Sequence, residues 1–214
     1  HHRQSSDSID NALLSYIEPY ASSACEMVSE ILQYIVDDIQ IPNLEASSLY
    51  AGIMIDTNNF MNKTGVRTFE AAAFLRRSGA DITLVRKMFR DDMESYRAKA
   101  QIISSAEVYH NKYAIARGEN LTIESPTIIG AQAANELLDI NEVKASFVLT
   151  TYNGRIYVSA RSIDEVNVQI IMERLGGGGH MNASGAQFDH TDMDEAVADL
   201  KQVIDDVIEG GEIE

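Results

Sequence analysis

Near residue 105 the spacing of apolar residues changes period, and that change dictates a chain of two unlike parts. Before it, every segment reads as helix. Ser23-Ala24-Cys25-Glu26 has capping-box spacing. Ala24, Val28, Ile31 and Ile35 then fall at i, i+4, i+7 and i+11, one apolar stripe. Pro42 and Asn43 break the chain, and a second helix is predicted over about 44–55. A third runs over about 68–78 and stops at Gly79, a natural C′ residue. Asp81 caps a fourth, and residues 92–106 continue as helix or helical linker. After the change, strands and helices alternate. Residues 109–116 read as one strand, followed by a turn over 117–120 and a helix over 126–138 that opens on Pro126. Residues 145–151 and 155–160 form a hairpin around Asn153-Gly154. A helix over about 166–175, four glycines and a short strand near 186–188 precede a last helix, which opens on the capping box Asp192-Met193-Asp194-Glu195. The predicted division is therefore a helix-rich segment, residues 1–104, and an α+β domain, residues 105–214.

Composition narrows the function classes. At 45% hydrophobic and 23% charged, the 214 residues suit an ordinary globular protein and exclude intrinsic disorder. Seventeen Lys and Arg against 33 Asp and Glu leave a net charge of −16, and protonating all five His would still leave −11. Such a chain is poorly suited to long nucleic acid, whose binding relies on clustered cations and released counterions. A short phosphorylated substrate at a small cationic or metal-loaded site remains compatible with it. One cysteine excludes a disulfide framework or a multi-Cys zinc site within the chain. No apolar run reaches the ~18 residues of a membrane span, so a soluble cytoplasmic chain is expected. The opening residues His1-His2-Arg3-Gln4 lack an initiator Met, which fits either an affinity-tag remnant or a longer protein cut before a functional His pair.

Four segments could carry chemistry. Gly176-Gly177-Gly178-Gly179-His180 sits between an amphipathic helix and a short strand. Successive glycines can turn several N–H groups toward one anion and admit a ligand close to the backbone, with His180 as a side-chain donor beside them. The plain alternative is a helix C-cap. Asp56 is placed at the negative end of the second helix, where a carboxylate costs roughly 0.3–1 kcal/mol unless a bound cation reverses the sign; a solvated Asp or an Asx-turn is the alternative. Ser22 and Ser23 open a helix N-terminus, a setting that favours phosphate, though capping alone also accounts for Ser23. Arg161, in Ser159-Ala160-Arg161-Ser162, leaves a predicted strand, where its planar guanidinium could hold a phosphate or stack on a base. Cys25 reads as packing, and His110 and His190 carry no assigned role.

Taken together, these segments resemble the DHH–DHHA1 phosphoesterase family, most closely its cyclic-di-AMP phosphodiesterase branch. His1-His2-Arg3 looks like the tail of an Asp-His-His-Arg motif. The segments Glu18–Ser23 and Ala51–Thr57 are similar to those that follow it. Ser159–Ser162, Asn167-Val168-Gln169 and Gly176–His180 are similar to the DHHA1 half. The resemblance spans the whole chain and favours the cut-protein reading of the first residues. It implies an α/β fold: a helix-rich partial DHH domain, the C-terminal half of a parallel-sheet domain, then an α+β DHHA1 domain with a mixed sheet. It implies hydrolysis of cyclic-di-AMP to pApA at a pair of divalent ions, manganese by family habit. By the same resemblance, His1 and Asp56 are metal ligands, and His2 and Arg3 contact the scissile phosphate. Ser22, Ser23, Arg161, Gly177, Gly178, Gly179 and His180 bind the rest of the nucleotide.

The family's first metal motif, its second-motif Asp and the Asp before the His pair would lie ahead of residue 1. This chain alone is therefore expected to hydrolyse little or nothing. A homodimer and a membrane-tethered parent are compatible with the resemblance. The competing readings are an oligoribonuclease or pAp phosphatase of the same superfamily, a RecJ-like exonuclease disfavoured by the acidic balance, and a non-catalytic nucleic-acid-binding DHHA1 module.

Overall fold

The computed structural model describes residues 11–35, 38–189 and 192–213. Its contacts divide the chain after Arg90, into one helical unit and one built on a sheet.

The first unit contains α1 (Ala24–Ile35), α2 (Asn43–Asp56), α3 (Val66–Arg77) and α4 (Ile82–Met88), with no strand among its described residues. Ser23 Oγ accepts the Glu26 N–H at 3.0 Å, as capping requires. The reciprocal half of the expected box is displaced by one residue: the buried Glu26 carboxylate accepts the N–H and O–H of Ser22 instead. Gly79 ends α3 at φ +99°, and Asp81 caps α4 through the N–H groups of Thr83 and Leu84. Ala46, Ile53, Ala71, Leu75 and Ala80 form a small core. Gly52 lets α1 and α2 meet closely, since a Cβ there would lie 2.3 Å from Cys25 Sγ. Arg67 ties the chain before α1 to two helices. Its guanidinium donates twice to Glu30, at 2.7 Å each, and also to Glu18 at 3.3 Å and Tyr16 Oη at 2.8 Å.

The second unit contains α5 (Met93–Ser104), β1 (Glu107–Tyr109), β2 (Tyr113–Gly118), α6 (Pro126–Leu137), β3 (Ala145–Tyr152), β4 (Arg155–Ser162), α7 (Val168–Arg174), β5 (Gly178–His180), β6 (Ala183–Phe188) and α8 (Met193–Glu209). The expected boundary near residue 105 and the observed division differ by the length of α5, which packs on β2 and α6. The strands form one mixed sheet in the order β1-β2-β3-β4-β6-β5, with β2 and β3 parallel across α6 and every other pair antiparallel.

Two expectations are corrected. The single strand over 109–116 is two strands: His110 and Asn111, at φ +50° and +59°, reverse the chain so that Glu107–Tyr109 pairs back on Tyr113–Ile115. The glycine run is not all loop either, because its last two glycines begin β5.

Strand parity decides which residues are covered. On β4 and β6, Ile156, Val158, Ala160, Ala186 and Phe188 face α7 and α8 and join the larger core. α8 adds Met193, Ala196, Val197, Leu200, Ile204 and Val207 to it. On the opposite face, α5 and α6 cover β2 and β3 through Ala114, Ala116, Val148, Ile102, Ile129, Ala133 and Leu137. Ser146 Oγ donates to Ala134 O there, and Gly130 admits Thr150 against α6. α6 also borders β4, and beyond it this face of β4, β6 and β5 carries half-buried and exposed residues.

Candidate functional site

In the first unit, Asp56 ends α2 with an exposed carboxylate. It lies close enough to Cys25 that its charge adds to burial, the larger cause, in pushing the Cys25 thiol above its ordinary value. The α2 carboxy terminus and the α1 amino terminus therefore come together. The segment after Asp56 is strained: Asn58, Asn59 and Phe60 follow one another at φ +46°, +57° and +66°. Asn adopts this conformation readily, but Phe does so rarely. The ring of Phe60 is held by Tyr50 and Phe69, both with centroids 5.7 Å away. Backbone strain over-determined by packing recurs at functional sites, and here it fixes the chain next to Asp56.

Ser22 and Ser23 are both buried, at 4% and 0% exposure. The Ser22 hydroxyl donates its proton to Glu26, and the Ser23 oxygen accepts the Glu26 N–H. These are the bonds of a helix start, and in this arrangement neither hydroxyl faces solvent. His1, His2, Arg3 and His190 lie outside the described residues. Among the described residues, no group of three His, Cys, Asp or Glu assembles a metal centre. Asp56 is a hard oxygen donor of the type manganese or magnesium takes, but one carboxylate does not hold a pair of ions. A groove of about 890 Å³ in this unit, lined by Tyr16, Glu30, Tyr34, Arg67, Glu70 and Arg77, includes none of the residues nominated from sequence.

In the second unit, three nominated positions converge through strand register. Arg161 on β4 pairs with Ala183 on β6, which pairs with His180 on β5. Directly opposed residues share a face, so Arg161 and His180 stand on the same face two strands apart, with Cα atoms about 10 Å from each other. Only the methyl of Ala183 lies between them. The next row on this face is Ser159, Gly185 and Gly178, so its floor is bare backbone over β6 and β5. A Cβ at Gly178 would meet nothing within 4 Å. The result is a shelf with a guanidinium and an imidazole at one end and an open floor beside them.

Each glycine of the run has its own work. Gly176, at φ +77°, donates to Glu173 O, and Gly177 to Met172 O, the two bonds of a Schellman cap on α7. Gly177 also lies so close to β6 that a Cβ would sit 2.1 Å from Gly185 O. Gly179, at φ +148°, also approaches β6 closely, a Cβ there lying 2.6 Å from Ala183 O. The four amides are thus not gathered around one point. Two serve the cap, and Gly178 and Gly179 belong to a sheet-edge strand, whose outer backbone groups have no sheet partner.

Arg161 supplies the electrostatics. It is half-buried, and burial pulls its guanidinium below the ordinary value. Its own contact is a 2.9 Å hydrogen bond to Ala160 O. Several other cations in the unit are paired: Lys99 with Asp91 and Glu136, Lys144 with Glu165, and Lys201 with Glu107. Arg161 has no carboxylate partner among the described residues. A partly desolvated, unpaired guanidinium in a chain of net charge −16 is a site that gains by taking an anion. The sequence reading named Arg161 alone on β4. Parity along the strand would also have found Ser159, whereas Gly185 needed the β4–β6 pairing.

The DHHA1 domain family model matches residues 113–209. The chain is 43% identical over 212 residues to the cyclic-di-AMP phosphodiesterase GdpP of Geobacillus thermodenitrificans, covering 99% of this chain and 32% of that protein. It is 42% identical over 206 residues to the cyclic-di-AMP phosphodiesterase PdeA of Listeria monocytogenes, covering 96% and 31%. The chain thus spans about a third of the length of these relatives. Among solved structures, an exopolyphosphatase-related protein from Bacteroides fragilis superposes with a TM-score of 0.80 at 24% identity, over 93% of this chain and 61% of that one. That likeness concerns the fold. With the expected mixed sheet present, residues 113–209 matching the DHHA1 domain and nearly the whole chain similar to these phosphodiesterases, the findings are those of a DHH/DHHA1-type fragment.

Proposed function

We propose that this chain is part of a metal-dependent phosphodiesterase that hydrolyses cyclic-di-AMP to pApA, and that its DHHA1 shelf grips the nucleotide. One observation carries the second half of this reading: Arg161 stands unpaired and partly desolvated beside a floor kept bare by Gly178, Ala183 and Gly185. A phosphate meeting Arg161 replaces lost hydration with charge-assisted hydrogen bonds. His180 offers a second donor in the same row. Gripping the nucleotide away from the scissile bond is how remote binding energy positions a reacting phosphate. Two relatives named as cyclic-di-AMP phosphodiesterases support the choice of substrate.

Divalent ions, manganese by the family resemblance, supply Lewis acidity toward water and phosphate when bound. Asp56 is this chain's described oxygen donor for them. His1 as a further ligand, and His2 and Arg3 at the scissile phosphate, rest on the resemblance. Among the described residues no group of three His, Cys, Asp or Glu gathers around Asp56.

Calorimetric titration tests the shelf. Cyclic-di-AMP and pApA are expected to bind the chain, with Arg161→Ala weakening both at least tenfold, as the loss of a charge-assisted bond implies. Gly178→Leu is expected to keep the fold and block binding, since a side chain there enters open space. Undiminished binding by both variants, or tight tRNA binding with none for dinucleotides, would replace this reading with that of a nucleic-acid-binding module. For the longer protein, Asp56→Asn is expected to lower manganese-dependent turnover of cyclic-di-AMP; pAp turnover in its place would favour the pAp phosphatase reading.

A further inference from the structure

We propose that the far end of the shelf reads the base, with Tyr157 as a stacking surface and Gln187 as the residue that selects adenine over guanine. The inference rests on the shelf being the nucleotide site proposed above. Tyr157 on β4 and Gln187 on β6 are directly opposed in register. They share strand parity with Ser159 and Arg161, and with Gly185 and Ala183, so both stand on the shelf face.

Distance along the strand assigns the roles. Tyr157 stands four positions before Arg161 on β4, about 13 Å at strand rise, which is about the reach of one nucleotide from its phosphate to the far edge of its base. The bare row of Ser159, Gly185 and Gly178 lies between, where a ribose needs room. A nucleotide with its phosphate at Arg161 and His180 therefore brings its base to Tyr157 and Gln187.

Both residues suit that position chemically. Tyr157 is half-buried, and its ring is steadied by Tyr152 at a centroid distance of 6.3 Å, so an aromatic face is available at little entropic cost. Gln187 is exposed, and its side-chain amide has no hydrogen-bond partner among the described residues. A carboxamide pairs its N–H and C=O with the N7 acceptor and N6 amino group of adenine. Guanine presents two acceptors on the same edge and suits Arg instead.

The test measures binding of pApA, pGpG and ribose 5-phosphate to the full chain and to Gln187→Leu, Gln187→Arg, Tyr157→Ala and Arg161→Ala, each checked for an unchanged far-ultraviolet spectrum and melting point. Gln187→Leu is expected to cut the preference for pApA over pGpG by about tenfold, the discrimination of one bidentate contact. Gln187→Arg is expected to turn that preference toward pGpG. Tyr157→Ala is expected to weaken both dinucleotides alike, and none of these three changes to affect ribose 5-phosphate. Arg161→Ala, by contrast, should weaken all three ligands. If Arg161→Ala acts on all three while the Gln187 variants leave the pApA to pGpG ratio unchanged, the base-reading inference is overturned and the shelf stands. If Arg161→Ala has no effect, the shelf reading itself fails.

Discussion

Two adjacent glycines in the second unit have opposite reasons for being glycine. Gly177 is closed in by the β6 backbone, and a methyl there would collide with Gly185 O and Ala186 Cα. Gly177→Ala is expected to lower stability by about 1–3 kcal/mol, the usual cost of overpacking, as read from urea denaturation. At Gly178 no neighbour opposes a methyl, so Gly178→Ala should stay within about 0.5 kcal/mol of the parent. Any constraint on that position then comes from the ligand. A second residue-scale prediction concerns Asp56. Its charge helps hold the Cys25 thiol above its ordinary value. Asp56→Asn is therefore expected to lower that value and speed alkylation of Cys25 by iodoacetamide at pH 8, on the order of twofold because burial remains. An unchanged rate would separate the two side chains.

At the scale of elements, ion pairs and caps join pieces that propensity alone would leave loose. Arg67 holds the chain before α1 against α1 and α3 through Tyr16, Glu18 and Glu30. Hydrogen bonding from Arg67, partly opposed by burial, keeps the Glu30 carboxyl below its ordinary value of 4.5. A lowered acid stabilises the fold fully above its unfolded pKa, and that contribution disappears as pH falls through the lowered folded value. Helical signal from the first unit should therefore weaken as pH drops below about 4.5, and Glu30→Gln should flatten this dependence while costing about 1 kcal/mol at pH 7. In the second unit, Asp205 behaves with the same sign, its carboxyl lowered by His110 first and then by Tyr109. This cluster fastens the β1–β2 turn to α8. No pattern in the sequence joins residues 110 and 205, so the role of His110 is set by the fold.

Across the whole molecule, the two units differ in what they bury. The second has a sheet covered on one face by α7 and α8 and partly covered on the other by α5 and α6. Among its described residues the first has a smaller core cluster, Ala46, Ile53, Ala71, Leu75 and Ala80, and leaves Leu14, Tyr34, Ile35, Val66 and Phe69 exposed. Unfolding is expected in two steps, with the amides of α1 to α4 exchanging with deuterium before those of β3 and β4. Mass spectrometry of the exchanging chain checks this, and one cooperative transition for both units would contradict it. Leu200→Ala, at a fully buried α8 position, should cost about 2–5 kcal/mol and move only the second step.

Much of this was legible because it is local. Helix starts at Ser23, Asp81 and Asp192, the stop at Gly79 and the hairpin at Asn153-Gly154 follow from backbone chemistry within a few residues. The order of motifs along the chain carried the family resemblance. What the residues alone left open were relations between distant strands. The pairing of β4 with β6 and of β6 with β5 decides that Arg161, His180 and the bare floor share one face, and that two of the four glycines belong to a strand. Local patterning specifies which element a residue joins, because capping, turns and alternation act over a few bonds. Which elements become neighbours is a long-range packing result, and the shelf exists only at that level.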